Sequence, residues 1–480
     1  MRSFSGHDIR DFGSAVGSGA DDQPALAAAC AAAERDGAPV VIPQGVFLLA
    51  RETRLPAGVT ILGTGRRSIV RAAAAARGFR MLSCSQGAAG QTVRDLCLDG
   101  NKDGQAPEVW GECSGVFAED PRDLLIRDCT FVSHPYACIV ARACGPGARD
   151  VRVIDCEFSD YGYPDVARSA TALVCDAIGH ARITDVCIRG NRFRGGRSGN
   201  LAAIGIANVS RLDVVQNRIV DQANEYAPGS APTIKGIDVV ASEDVRISGN
   251  EADLIVDQHW CVGGQDSDSG VQVGFAFAAT GCHRVIINDN TANRVCAGIG
   301  AFDLFDFTIV GNVVVGDAGD GQIAGGCGLE INSNDLGRSG PACGSITGNT
   351  LRNLRTGIFL AYGRDLVLSA NVVQHIQKNG LNLIQGEKRR LTIAGNVIRN
   401  VGRLGNAAGG PYHGILLAEA EATTVTGNIV ENAGPRLPLH CLSIDRKSAG
   451  LHVSGNLLAG ADGAIVRNEA KDAPRRGPFR

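Results

Sequence analysis

The sequence predicts an all-β fold, one parallel β-helix of about 13 coils, from a repeat, an alternation and a composition. The repeat is a word of the form apolar-x-apolar-x-Gly-Asn: VCIRGN to Asn191, VRISGN to Asn250, FTIVGN to Asn312, GSITGN to Asn349, LTIAGN to Asn396, TTVTGN to Asn428 and LHVSGN to Asn456. Looser copies end at Asn101, Asn217, Asn290 and Asn371. Between copies stands a second word led by Gly: GIDVV from Gly236, GVQVG from Gly270, GIGAF from Gly298, GLEIN from Gly328, GIFLA from Gly357, GLNLI from Gly380 and GILLA from Gly414. Both words alternate apolar and polar with period 2, which buries one face and solvates the other, and no helical period runs between them. The 63 glycines among 480 residues suit a chain with many tight corners.

A unit of roughly 22 to 40 residues with two or three short strands cannot bury its inner face alone. Coils must therefore stack, each strand pairing in parallel with its counterpart in the next coil. The Asn that closes each word falls at a corner, where its amide can bond the neighbours above and below. It also tolerates left-handed backbone, while the preceding Gly eases the bend. Cys129 in LLIRDC and Cys156 in VRVIDC take the same position. The repeat runs without a linker, so one elongated domain is expected: a cap over 1–65, coils over 66–470 and a tail over 471–480.

The first 65 residues carry different words. The alanine-rich stretch from Asp22 to Asp36 reads as a helix, with Asp21 or Asp22 as cap, Pro24 in the first turn and Gly37 at its end. Such a helix can cover the open end of the solenoid core. Around it lie Asp11 to Gly13 (DFG), the Asp21-Asp22 pair, Val40 to Phe47 (VVIPQGVF) and Leu55 to Gly63 (LPAGVTILG). This arrangement resembles the amino-terminal cap of the pectate-lyase-like superfamily of right-handed parallel β-helix proteins. Together with the repeats it covers nearly the whole chain. The resemblance implies right-handed coils with an N-terminal capping helix. It leaves the chemistry among polysaccharide lyases, glycoside hydrolases, epimerases and phage tailspikes.

The motifs of the better-known members are mostly missing. Of the polygalacturonase-like set only a partial echo remains, Tyr412-His413-Gly414, and the Asp-Pro-His-Asp word of mannuronan epimerases is absent. Position within the coil is the alternative guide. In each Gly-led word the residue after Gly points inward and the next outward, so outward residues of successive coils form a row: Asp238, Gln272, Gly300, Glu330, Phe359, Asn382, Leu416, Ser443. A second row reads Val240, Gly274, Phe302, Asn332, Ala361, Ile384. Such a row is either a solvated face or a binding face.

Two features favour binding in the middle coils. Gly300 suggests a notch between Gln272 and Glu330, with Asp303 and a sugar-stacking Phe302 at the strand end. The segments after the Asn corners are long at 218–235, 251–269 and 313–327 but short at 291–297, which suggests a groove. The 251–269 segment presents Asp257, His259, Trp260, Asp266 and Asp268.

A glycosidase needs two carboxyls about 5 to 10 Å apart. Glu330 and Asp303 are the expected pair, at the wider, inverting spacing. Asp238, Asp266 and Asp268 are alternative carboxyls, and Gln272, Asn332, Phe302, Trp260, Tyr362 and Asn382 are expected substrate contacts. A lyase instead needs a base and a cation against the uronate, for which Lys235 and the Tyr412-His413 pair are the candidates, and His259 on the rim is a further alternative catalytic residue. Further alternatives are an epimerase, an intracellular isomerase or cyclase acting on a small molecule, and a non-catalytic carbohydrate-binding or phage-type rod.

The charge is even, 47 basic against 50 acidic residues, which predicts no nucleic acid, anionic membrane or strongly polyanionic substrate; an oligo- or polysaccharide partner is what the resemblance implies. No metal site is expected and no cofactor, with Ca2+ entering only in the lyase case. The 16 cysteines show no zinc spacing and read as buried free thiols. With no leader-like start, this favours the cytoplasm, or secretion if a signal was removed. A monomer or a homo-oligomer, including a trimer, is compatible.

Overall fold

The computed structural model describes residues 6–74, 79–105, 113–165, 169–224, 233–256, 274–316, 326–333, 340–405 and 411–470. The chain divides into two compact units, Met1–Arg246 and Ile247–Arg480. In a solenoid each coil touches only its neighbours, so no long-range contact binds distant coils into one globule.

Each unit is a parallel β-helix of three sheets. The Gly-led words form one sheet, whose first-unit strands run from Thr53–Leu55 to Ile234–Val240 and whose second-unit strands run from Phe275–Thr280 to Val466–Asn468. The strands before the Asn corners form a second sheet, for example Arg149–Ile154 and Phe305–Val310. A third sheet follows the corners, in stretches that the sequence presented as loop. Arg218–Asn224, Glu251–Val256, Thr291–Val295 and Val313–Gly316 are all strands. Most strands of this sheet bury few side chains, such as Phe131, Phe158 and Phe193, and so show too little alternation to be recognised. Those three rings stack inside the first unit, Phe131 on Phe158 at 5.0 Å and Phe158 on Phe193 at 4.4 Å, nearly parallel.

The asparagine corners are a continuous ladder in the second unit: Asn250, Asn290, Asn312, Asn349, Asn371, Asn396, Asn428 and Asn456. Each Nδ2 donates to the next Oδ1 at 2.9–3.0 Å, and that oxygen also accepts the backbone N–H of the same lower residue. In the first unit Cys156 N–H donates to Asn191, and Asn191 to Asn217. Asn101 stands outside the ladder and opens a 3-10 turn instead. The left-handed residue of each corner is the one before the Asn: Gly311 (φ 68°), Gly348 (φ 67°), Asp289 (φ 55°), Ala370 (φ 53°). That leaves the Asn itself free to use its whole amide for the ladder.

The leading glycines answer to close approach. A Cβ on Gly357 would lie 2.3 Å from the Gly380 carbonyl oxygen. The residue that follows each of them turns inward and is fully buried: Ile299, Leu329, Ile358 and Leu381.

The cap helix spans Gln23–Asp36 and ends at Gly37 in left-handed conformation (φ 73°). Asp21 accepts the Gln23 and Ala50 N–H groups, while Asp22 accepts from Ser14 and Leu48, so the acidic pair ties the helix start to the strand Gly45–Leu49. The helix buries Leu26, Ala29, Cys30 and Ala33. Among the described cysteines all are free, and all but Cys144, Cys187 and Cys343 are buried, as expected for apolar core residues. Among the described residues, no helix is long and apolar enough to cross a membrane.

Candidate active site

The outward face of the Gly-led sheet in the second unit carries the predicted pair. In Cys327–Asn332, alternation sends Leu329 and Ile331 into the core and Glu330 and Asn332 outward. Parallel register sets Glu330 between Gly300 and Phe359, and Asn332 beside Phe302. Asp303 follows the strand Ile299–Phe302 in left-handed conformation (φ 50°), its N–H bonded to the Asn332 carbonyl at 3.0 Å. It therefore faces Ser333, three residues beyond Glu330, or about 10 Å along the sheet.

Two consecutive residues hold the two carboxyls. Asn332 Nδ2 donates to Glu330 Oε1 at 3.3 Å, and the Ser333 hydroxyl donates to Asp303 Oδ1 at 2.6 Å. Burial pushes the Glu330 carboxyl above the usual glutamate range, opposed by the Asn332 bond, which favours the ionised form. Ser333 was not anticipated. Its only signal in the sequence is its place directly after the outward Asn332.

Several expected roles do not survive. Gly300 leaves no notch: a Cβ there would meet Phe302 at 2.7 Å and Phe275 at 3.1 Å, so two rings already fill the space. Phe302 is 9% exposed and meets Phe275 edge-on at 5.6 Å, which makes it core rather than a sugar-stacking face. The strand next to Ile299–Phe302 is Phe275–Thr280, which places Ala278 opposite Gly300 in the row assigned to Gln272. The run GVQVGFAFAAT alternates throughout, so the pattern alone left its frame open. Gln272, Asp257, His259, Trp260, Asp266 and Asp268 lie outside the described residues.

Asn382 is buried, its Oδ1 bonded by Asn379 Nδ2 at 3.0 Å, and so faces another protein group. Tyr362 is partly exposed, its ring over Gly386, where a Cβ would approach to 2.2 Å. Tyr412 and His413 are both buried. His413 stacks on His440 at 5.3 Å, and burial holds its pKa down to about 4, so it stays neutral and out of reach of a substrate. In the first unit Lys235 Nζ bonds Asp238 Oδ2 at 2.9 Å, an ion pair that occupies both candidates with each other. No group of three or more His, Cys, Asp or Glu side chains among the described residues is placed to hold a metal ion.

Comparison with known proteins supports the architecture. Residues 321–458 match the family model described as right handed beta helix region, and residues 7–94 match the one described as rhamnogalacturonase A/epimerase, pectate lyase-like. No curated protein matches the sequence. Among solved structures, a tailspike protein of E. coli bacteriophage HK620 in complex with a pentasaccharide aligns over 97% of this chain and 78% of its own, at 12% identity and a TM-score of 0.54. The A-module of an Azotobacter vinelandii mannuronan C-5 epimerase aligns over 98% and 100%, at 14% identity and a TM-score of 0.32. The catalytic unit of an alpha-1,3-glucanase from Streptomyces thermodiastaticus aligns over 96% and 70%, at 12% identity and 0.42. At 12% identity the likeness to the tailspike is one of fold. With its three parallel sheets and its cap, the chain is a right-handed parallel β-helix protein whose first coils are similar to the pectate lyase-like family model.

Proposed function

We propose that this protein is a carbohydrate-active enzyme that hydrolyses a glycosidic bond of an oligo- or polysaccharide, with Glu330 as general acid and Asp303 as general base. The observation that carries the reading is the unequal setting of the two carboxyls. Glu330 is drawn toward its protonated form by burial, while Asp303 accepts a hydrogen bond from Ser333 at the sheet rim. An acid and a base set apart by environment are the arrangement that hydrolysis of a glycoside requires. The offset of about 10 Å is between backbone positions along the sheet, somewhat more than the roughly 6.5–9.5 Å that separates the carboxyls of inverting enzymes, so the two side chains must lean toward each other to leave room for one water between base and sugar. The likeness to the tailspike in complex with a pentasaccharide and the match of residues 7–94 to the rhamnogalacturonase A/epimerase, pectate lyase-like model support the glycan class.

The lyase reading is weaker. Of its candidate bases within the described residues, Lys235 is paired with Asp238, and Tyr412 and His413 are buried, His413 stacked on His440. Product analysis on a polysaccharide panel separates the two. Hydrolysis releases saturated reducing ends, whereas elimination releases an unsaturated sugar that absorbs in the ultraviolet. Appearance of the unsaturated product would sink the hydrolase assignment, and no product from any glycan would sink the enzyme assignment.

A further inference from the structure

We infer that the glycan held by this face carries no carboxylate or sulfate groups. The inference rests on the hydrolase reading above and adds the charge class of the substrate. The strands of the Gly-led sheet from Phe275 to Ile444 read FAFAAT, IGAF, CGLEIN, TGIFL, LNL, HGILL and HCLSI. They contain one charged residue apart from histidine, Glu330, and no lysine or arginine. The two histidines, His413 and His440, are both buried.

The same sheet in the first unit shows that this fold can carry cations on these strands. There Arg54, Arg80, Arg142 and Lys235 stand on the strands, and three of them are matched by acids, Arg54 with Glu52 at 3.6 Å, Arg142 with Asp176 at 2.6 Å and Lys235 with Asp238 at 2.9 Å, while Arg80 lies over the Phe117 ring.

A uronate or sulfate laid over Glu330 finds no partner of opposite charge on these strands. It is repelled by Glu330 wherever that carboxyl is ionised, and no cation on the strands offsets the repulsion. The described residues of 251–333 act in the same direction, with six Asp and Glu against two Arg. One of those arginines, Arg294, is paired with Asp253. Charge of one sign lowers the local concentration of an anionic chain before contact.

The test uses the full chain with Asp303→Asn, which removes the proposed base while leaving Glu330 and an acceptor for the Ser333 hydroxyl. The variant is titrated with size-matched neutral, amino-bearing, uronate-bearing and sulfated oligosaccharides at low and high salt. The expected result is retention of acid-free glycans, with acidic ones at least tenfold weaker and partly recovered by salt. Adding Glu330→Gln is expected to narrow that gap. Equal or tighter binding of uronate or sulfated oligosaccharides overturns the inference and leaves the glycan reading standing. Absence of binding for every class, in this variant and in the wild type alike, overturns the glycan reading itself and the inference with it.

Discussion

The Ser333 hydroxyl bonds Asp303 Oδ1 at 2.6 Å across two neighbouring coils, and the residue before it, Asn332, bonds Glu330. One strand end thus orients both proposed catalytic carboxyls. Glu330→Gln and Asp303→Asn are each expected to lower kcat by about a hundredfold or more, the usual worth of general acid or base catalysis. Ser333→Ala should cost less, about fivefold to tenfold, by loosening Asp303. Wild-type rates in both carboxyl variants would place the site elsewhere.

Glu330 also predicts a trade of stability for function. Its folded pKa lies above its unfolded value, so the native state binds more protons than the unfolded state once the pH passes about 4.5. Stability contributed here is present at low pH and falls as pH rises through the raised value. Glu330→Gln should therefore melt higher than wild type at pH 7, and the gain should vanish near pH 4. Identical melting at pH 7 would mean that the carboxyl is better solvated than its surroundings indicate.

Lys388 is fully buried, and its ammonium donates to the carbonyls of Ala361, Gln385 and Gly386 at 3.3, 2.5 and 2.8 Å. Burial lowers its pKa to about 8, against the pull of Glu419 and Asp445. Between that value and about 10.5 the unfolded chain binds the extra proton, so stability from this group rises with pH across that window, by up to about 3 kcal/mol. Denaturant titrations of wild type and Lys388→Met at several pH values should show the rise only in wild type. Parallel curves would refute it.

Replacing Asn312 by Leu removes the acceptor of the Asn290 amide and backbone N–H and the donors to Asn349 and Ile287. Leaving such buried groups unpaired is expected to cost about 1 to 3 kcal/mol. Unchanged thermal unfolding would argue that the ladder is incidental.

Gly300→Ala separates the two accounts of that position. A methyl group 2.7 Å from Phe302 must displace a packed ring, so the variant should lose about 1 to 3 kcal/mol of stability with little change in glycan affinity. Lost affinity at unchanged stability would restore the notch.

Much of this fold is legible in the words of the chain. The Gly-Asn corners, the inward residue after each leading Gly, the helix Gln23–Asp36 with its end at Gly37 and the burial of the thiols all follow from local chemistry, since each depends on residues adjacent in sequence. The outward placement of Glu330 belongs here too, because period 2 decides which face a side chain takes. Period 2 does not decide what stands opposite. The frame of Phe275–Thr280 and the two rings over Gly300 were settled by pairing between coils, as was the meeting of Ser333 with Asp303, thirty residues apart. The third sheet stayed hidden because most of its strands bury few side chains. Register between coils is fixed by packing and backbone hydrogen bonds, quantities that exist only once the chain has stacked.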